Sequence, residues 1–183
     1  PGTIRAASGR AVPVPTRADD AFLPRGEAIQ AAARETNAKS LLINTPNNPT
    51  GMIYPRDTLE DIARACTDND LWLISDEVYD TQVWQGQHVS PRSLPGMVER
   101  TLIVGSMSKS HAMTGSRVGW IVGPEQAIAH LIDLATNTTY GVPGYIQAAA
   151  DFALNAGQQL EDDIGAPFRR RRAIAQKVLG AQQ

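Results

Sequence analysis

The sequence predicts an α/β fold, a three-layer sandwich in which helices cover both faces of a mostly parallel sheet. Short, fully apolar runs typical of buried strands alternate along the chain with longer segments whose apolar residues recur at helical spacing. The 183 residues are 42% hydrophobic and 20% charged, which is sufficient for one core of domain size. We therefore expect one sheet with helical layers on its two sides.

The first half of the chain provides three strands and two helices of this pattern. Pro24 favours a helix start in the second segment, and Pro46 ends the first long apolar run. Leu59, Ile62 and Cys66 recur at helical spacing in the fourth segment. In chain order the segments are the strand RAVPVPT (10–16), a turn and helix within 19–38, the strand SLLINTP (40–46), a helix within 55–70 and the strand LWLISDEVYD (71–80).

The second half adds two apolar runs and further helices. The runs RTLIVGSMSKS (100–110) and VGWIVGP (118–124) predict two more strands, and EQAIAHLIDLATNT (125–138) predicts a helix. The arginine-rich stretch 168–179 follows the acidic stretch 158–165, and no aromatic residues are interleaved with its arginines. We therefore interpret it as a solvated helix face and not as a nucleic-acid site.

Charge and cysteine content exclude several classes of protein and site. Seventeen basic and nineteen acidic residues give a net charge of -2, so no bulk field attracts nucleic acid or an anionic membrane. Cys66 is the only cysteine, which excludes an internal disulfide and fits a reducing compartment. His88 and His130 have no partners at ligand spacing, so we expect no metal site. No run approaches the roughly 20 apolar residues of a transmembrane helix, and the sequence predicts a cytoplasmic protein.

Three polar clusters each follow a separate predicted strand. They are NTPNNPTG (44–51), SDEVYD (75–80) and SMSKS (106–110). Because the carboxyl ends of parallel strands meet at one edge of a sheet, we expect the three clusters to converge there. Ligands of open α/β sheets bind at the same edge, so the clusters are candidates for a binding site.

The side chains in these clusters favour one kind of ligand. The Lys109 amine can attack a carbonyl, and the Asp76 carboxylate can pair with a ring nitrogen. Arg117, together with Ser106 and Ser108, offers charged donors and hydroxyls of the kind that hold a phosphate dianion. An aldehyde, a ring that needs a carboxylate and a phosphate together describe pyridoxal phosphate.

The blocks NNPTG, SDEVY and SMSKSHAMTGSRVGW, in this order, resemble the signature of the fold-type I pyridoxal-phosphate enzymes, specifically the class I/II aminotransferases. The flanking segments VPVPTRADDAFLPRGEAIQAAARE and GYIQAAADFAL resemble that family too. The resemblance implies the large, cofactor-binding domain of an aminotransferase, truncated at both ends. Residues 1–167 would belong to that domain, and residues 168–183 would begin the connecting helix towards a small domain.

The resemblance also implies a role for each residue that matches by position. Lys109 would form the internal aldimine with the cofactor aldehyde and then move the proton between substrate Cα and cofactor C4′. Asp76 would keep the pyridine nitrogen protonated, and Tyr79 and Asn48 would donate to the phenolate oxygen of the ring. Lys109, Asp76 and Tyr79 are thus expected to be catalytic. The predicted phosphate ligands are Ser106, Arg117 and, as a helper, Ser108.

Each assignment has a structural alternative. A lone lysine after a strand is usually a solvated surface charge, and the spacing from Lys109 to Arg117 is what favours the cofactor role. Asp76 could be a turn or cap residue, Tyr79 a packing residue, and Asn48 a turn residue. Glu77 is assigned a structural role because adjacent strand residues point to opposite sides, and His111 is left outside the site.

The implied function of the parent protein is reversible transfer of an amino group between an amino acid and a 2-oxo acid, by a homodimer. Other fold-type I activities, such as a β-lyase or a cyclopropane-forming synthase, share these blocks. A non-catalytic, aminotransferase-like sensor domain and an inactive fragment are further alternatives. The phosphate-binding loop, ring-stacking aromatic residue and carboxylate-binding arginine of the family are expected outside this chain, so the sequence does not reveal which amino acid is used.

Overall fold

The computed structural model describes residues 2–180, which form an α/β unit around one four-stranded sheet. The strands lie across the sheet in chain order, β1-β2-β3-β4. β1 pairs with β2 and β2 with β3 in parallel, whereas β4 is antiparallel to β3. The strands are β1 (Ser40–Asn44), β2 (Trp72–Asp76), β3 (Thr101–Ser106) and β4 (Gly119–Val122).

Seven α-helices and three short 3-10 turns are present among the described residues. The α-helices are α1 (Gly2–Ala6), α2 (Gly26–Thr36), α3 (Arg56–Asp68), α4 (Met107–Ser110), α5 (Glu125–Thr138), α6 (Gly144–Asn155) and α7 (Gln158–Gly180). The 3-10 turns are Ala18–Asp20, Pro91–Ser93 and Thr114–Ser116. Within residues 2–180, no helix is both long and apolar enough to cross a membrane.

The core lies between one face of the sheet and helices α2 and α3. Ile29 of α2 and Leu59 and Ile62 of α3 join Ile43 and Leu73 of the sheet in one buried cluster. Burial of each such side chain contributes about 1.5–3 kcal/mol. The helical periodicity seen in the sequence therefore marks the core-facing side of α3, as predicted.

The opposite face of the sheet, called the open face here, exposes apolar side chains. It carries Leu42, Trp72 and Ile121, which are 58%, 40% and 42% exposed. The α/β class and the mostly parallel sheet predicted from the sequence are confirmed. Helices α2 and α3 cover one face of the sheet, and the described residues leave much of the second face of the three-layer sandwich uncovered.

One predicted strand is wrong, and another has a direction that the sequence did not specify. Residues 10–16 form no strand, because Pro13 and Pro15 lack the N–H groups that a sheet ladder needs. The run at 118–124 does form a strand, but its direction is reversed relative to β3. A parallel crossover needs a connection that spans the sheet, and residues 107–118 contain only the one-turn helix α4 and the 3-10 turn Thr114–Ser116 before β4 begins.

Helix α7 is longer than the arginine-rich stretch from which we predicted it. It begins at Gln158, includes Pro167 and continues to Gly180. Arg169, Arg170 and Arg171 are exposed, as expected for a solvated helix face. The predicted domain boundary between residues 167 and 168 falls inside this helix, and the division remains a prediction. Ala181, Gln182 and Gln183 of the predicted connecting segment lie outside the described residues.

Candidate active site

The carboxyl ends of β1, β2 and β3 bring the three polar clusters to one edge of the sheet. Asn44 of β1 and Asp76 of β2 are register partners, and Asp76 is also the partner of Val104 in β3. Side chains in register, and those two residues apart, share a face of the sheet. Asn44, Asp76 and Ser106 therefore lie on the open face, where a ligand has access to them.

Asp76 is held by its backbone at this edge. Its carbonyl oxygen accepts hydrogen bonds from the backbone N–H of Thr45, at 3.1 Å, and from Asn44 Nδ2, at 3.1 Å. Its Oδ1 accepts from the backbone N–H of Val78, at 3.2 Å. The second carboxylate oxygen has no such contact within the described residues, so it can accept a hydrogen bond from a ligand.

Asn48 and Tyr79 meet although they belong to different clusters. Asn48 Nδ2 lies 3.4 Å from the Tyr79 hydroxyl, and Asn44 Oδ1 accepts from the Asn48 backbone N–H at 2.9 Å. The neighbouring Asn47 instead closes its own turn, since its Oδ1 accepts from the backbone N–H and the hydroxyl of Thr50. The two adjacent asparagines thus have separate functions, and Asn48 is the one that reaches Tyr79.

Lys109 projects from the one-turn helix α4, directly after β3. Ser106 caps this helix, and its Oγ accepts from the backbone N–H of Ser108 at 3.1 Å. The Lys109 side chain is exposed, and its Nζ lies 5.9 Å from the centroid of the Tyr79 ring. Met107 beneath it is fully buried, which fixes the start of the turn. The amine and the phenol therefore face the same space.

The predicted phosphate ligands surround the loop that follows Lys109. Ser106 Oγ and Ser108 Oγ are 2.9 Å apart. The Thr114 hydroxyl donates to the Ser108 carbonyl oxygen at 2.8 Å, and the Thr114 carbonyl oxygen accepts from Arg117 Nη1 at 3.0 Å. Arg117 itself is exposed, with a φ of 53°. Thr114 thus connects the serine pair to the arginine.

Glu77 points to the other side of the strand, as the alternation predicted. It is 5% exposed, and its two carboxylate oxygens lie 2.8 Å from His88 Nε2 and 2.9 Å from the Ser90 hydroxyl. Because a carboxylate only accepts, His88 Nε2 carries a hydrogen. Glu77 is therefore a buried structural partner of His88 and Ser90, separate from the open face.

His111 also lies away from the open face. Its side chain is buried, with Nδ1 2.8 Å from the Ser110 hydroxyl and Nε2 3.8 Å from Glu161 Oε1 on α7. This pair joins the end of α4 to α7.

Burial raises the pKa of three groups, two of them outside this edge and one, Asp80, in the cluster that carries Asp76. It raises the pKa of the Cys66 thiol from 9.0 to about 11, against a smaller opposing effect of the Arg100 guanidinium. It also raises the pKa of the Tyr54 hydroxyl. Desolvation likewise raises the pKa of the Asp80 carboxyl, next to Tyr79 in sequence. In each case the neutral form is favoured, because a charged group loses hydration when it is buried.

Sequence reasoning missed three residues that organise the site: Asn44, Gln82 and Thr114. Asn44 could have been found, since it is the polar residue that ends an apolar run. Gln82 and Thr114 act through backbone carbonyls, of Lys109 and Ser108 respectively. Contacts of this kind leave no residue pattern in one sequence.

Comparison with known proteins assigns this arrangement to a family. The family profile described as "Aminotransferase class I and II" matches residues 2–178. The chain belongs to this family. Class I/II aminotransferases depend on pyridoxal phosphate, the cofactor expected from the sequence.

Individual relatives differ in the amino acid named. The chain is 45% identical over 174 residues to the arginine–pyruvate transaminase AruH of Pseudomonas aeruginosa, covering 95% of this chain and 44% of that protein. It is 44% identical over 125 residues to human kynurenine–oxoglutarate transaminase 1, covering 67% of this chain and 30% of that protein.

The fold is shared with solved aminotransferase structures. The aspartate aminotransferase from Thermus thermophilus with maleate superposes with a TM-score of 0.88 at 33% identity, over 97% of this chain and 47% of that one. The match confirms the predicted large-domain fold. The chain spans less than half the length of the relatives it matches.

The residues at this edge fit pyridoxal phosphate. A carboxylate, a phenol–amide pair, an exposed amine and a serine–serine–arginine loop occur together on the open face and the loops that border it. These are the donor and acceptor types that a pyridine nitrogen, a ring oxygen, an aldehyde and a phosphate require.

Proposed function

We propose that the protein containing this chain is a pyridoxal-phosphate-dependent aminotransferase that transfers an amino group between an amino acid and a 2-oxo acid. One observation carries the proposal: an amine, a phenol and an amide from three separate strand ends meet at the edge that also carries Asp76. Membership of the family supports the same activity.

Each residue of the edge has a proposed part in this activity. The Asp76 carboxylate accepts the hydrogen of the ring nitrogen and so keeps that nitrogen positively charged. Asn48 and the Tyr79 hydroxyl donate to the ring oxygen, and their 3.4 Å separation allows both to reach one acceptor. The phosphate is held by Ser106, Ser108 and Arg117.

Lys109 is the proposed catalytic base as well as the attachment point. The cofactor, when bound, supplies an aldehyde for the amino group and a ring that stores an electron pair. Lys109 Nζ removes the proton from the substrate Cα and delivers it to the cofactor C4′. Its Nζ lies 5.9 Å from the centroid of the Tyr79 ring, so the amine and the phenol can reach the same ligand.

The wider assignments belong to the same proposal. Residues 1–167 form part of the cofactor-binding domain, and residues 168–183 begin the helix that connects it to a second domain. The protein acts in the cytoplasm as a homodimer, on amino acid and 2-oxo acid substrates, without nucleic acid or membrane. Family membership and the resemblance of the motifs support these statements.

The decisive experiment locates the cofactor on the polypeptide. The full-length protein is incubated with pyridoxal phosphate, its absorbance is recorded, and the adduct is reduced with borohydride and mapped by peptide mass. We expect the cofactor mass on the peptide that holds Lys109, and its loss in Lys109→Ala. The matched control is Lys177→Ala, which removes an exposed lysine on α7. Lys109 should be labelled normally in this variant.

Two results would contradict the proposal. Normal labelling of the same peptide in Lys109→Ala would exclude Lys109 as the attachment point. Labelling of Lys109 without formation of pyridoxamine phosphate from any amino acid would point to a lyase or to a non-catalytic sensor domain.

A further inference from the structure

Gln82 makes one hydrogen bond to the backbone of Tyr79 and one to the backbone of Lys109. Its backbone N–H donates to the Tyr79 carbonyl oxygen at 2.9 Å. Its side-chain Nε2 donates to the Lys109 carbonyl oxygen at 3.0 Å, across 27 residues of sequence. Gln82 thus joins the turn after Tyr79, the tyrosine turn, to helix α4 with Lys109, the lysine turn, through its backbone N–H and its half-buried side chain.

The lysine turn needs an external donor at this position. Helix α4 has four residues, so its carbonyl groups lack the partners that a longer helix would supply. The Lys109 carbonyl oxygen otherwise faces the N–H groups of His111 and Ala112, and the second of these is at 3.5 Å. The Gln82 amide supplies the short bond from outside the turn, and it fixes the end from which the lysine side chain projects.

The segment that carries Gln82 is itself held in place by contacts with helix α7. Arg169 of α7 lies over the Trp84 ring at 5.7 Å, and Arg172 Nη2 donates to Gln85 Oε1 at 3.2 Å. Gln82 is therefore not on a free loop. Its amide lies between an anchored segment and the lysine turn.

We infer that Gln82 is a positioning residue, which holds the Lys109 turn in register with Tyr79 so that the amine keeps its place beside the phenol. The inference rests on the proposed function of Lys109. Gln82 acts through the backbone of Lys109 and does not itself contact the reacting atoms. A change at Gln82 should alter the lysine turn and its chemistry while the buried core stays intact.

The test compares Gln82→Met with Gln85→Met in the full-length protein. Methionine keeps the length of glutamine without its donor, and Gln85, three residues away, contacts α7 and not the lysine turn. Amide hydrogen exchange is measured first, without cofactor. We expect the His111 and Ala112 amides to exchange about fivefold faster in Gln82→Met, the effect of losing one ordinary hydrogen bond, and to be unchanged in Gln85→Met.

Cofactor attachment is measured next in the same proteins. We expect Gln82→Met to lower the fraction of Lys109 that is labelled after reduction by at least threefold, and to shift the pH midpoint of the cofactor absorbance. Gln82→Glu provides a further check, because a protonated carboxyl donates to the Lys109 carbonyl and an ionised one does not. Its labelling should fall, relative to wild type, as the pH rises through the titration of that carboxyl.

The outcomes separate the inference from the function on which it rests. Unchanged amide exchange in Gln82→Met overturns the inference, as does faster exchange with normal labelling and an unchanged pH midpoint. If wild-type Lys109 is not labelled, the proposed function fails and the inference fails with it. If wild type is labelled and only Gln82→Met is impaired, both stand.

Discussion

At the scale of single residues, the carboxylates of Asp76, the last residue of β2, and of Glu77, directly after it, serve different purposes: Asp76 is available to a ligand, and Glu77 stabilises the fold. Asp76 lies on the open face, at the edge where a ligand has access. Glu77 lies on the covered side, with His88 and Ser90 as partners. The sequence placed both beside each other, and the alternation of a strand assigns them to different environments.

Cys66 provides a prediction on pH dependence. Its thiol is fully buried, and burial raises its pKa to about 11, whereas the unfolded thiol ionises near 9.0. Because the unfolded state releases this proton first, the free energy of unfolding should fall as the pH rises from 9 to 11, by about 2–3 kcal/mol. Urea unfolding across this range should show a steeper loss in wild type than in Cys66→Ala.

The comparison with Cys66→Ala removes other alkaline titrations, including that of Tyr54, because they occur in both proteins. A thiol reagent offers a second measurement on the wild type. Cys66 should react slowly at pH 8 until urea unfolds the chain. Parallel stability curves for the two proteins between pH 9 and 11 would contradict the assignment.

At the scale of elements, the buried pair of Glu77 and His88 joins the residue directly after β2 to the segment before β3. The two side chains are 6% and 10% exposed. Removing one partner of such a pair leaves a buried charge without compensation. The loop from Tyr79 to His88 should therefore depend on this pair for its place against the sheet.

We predict that His88→Ala destabilises the folded chain by about 3 kcal/mol, since Glu77 would keep only Ser90 as a partner. His130→Ala, at an exposed position on α5, should change stability by less than about 0.5 kcal/mol. Urea unfolding followed by circular dichroism measures both. Equal stability of the two variants would show that the pair contributes little.

The elements differ in how well the sequence predicts them. The strands β1, β2 and β3 are fully apolar runs that end in polar residues, and this pattern identifies them and their carboxyl ends. The direction of β4 depends on the length and path of the connection after Lys109, which hydrophobicity does not encode. The alternation of apolar and other residues in 10–16 resembles that of a strand, but Pro13 and Pro15 lack the backbone N–H donors that a sheet needs.

The site shows the same division between local pattern and spatial contact. Asn48, Asp76 and Lys109 were predictable because each follows an apolar run at a spacing that the family shares. Gln82 was not, because its contact with the Lys109 carbonyl joins residues 27 positions apart. The roles of the predicted residues towards the cofactor stay predictions.

At the scale of the whole molecule, the open face distinguishes this chain from a closed α/β domain. Leu42, Trp72 and Ile121 are exposed there, and Tyr145 and Phe152 of α6 are 76% and 77% exposed. Apolar patches of this kind normally mark surfaces that contact other protein.

We predict that the 183-residue chain on its own self-associates through the open face. Sedimentation velocity should show a mass that rises with protein concentration in the micromolar range. The double variant Leu42→Thr and Ile121→Thr should weaken association by at least tenfold, because it removes apolar area from two exposed positions. The matched control is Val178→Thr on α7, which is also exposed but lies outside the sheet. A monomer at all concentrations would contradict the prediction.

The order of the strands bears on how the molecule is made. They lie across the sheet as β1-β2-β3-β4, the order in which they leave the ribosome. Each new strand therefore adds to a neighbour that is already present, and none has to be inserted between two earlier strands. Once Val122 has been synthesised, all seven proposed cofactor-binding residues, from Asn48 to Arg117, have left the ribosome's catalytic centre, and helices α5 to α7 are not yet made. The strand ends that carry these residues are thus synthesised before α7, and α7 is made last of these helices, to pack against α4 and the segment that carries Gln82.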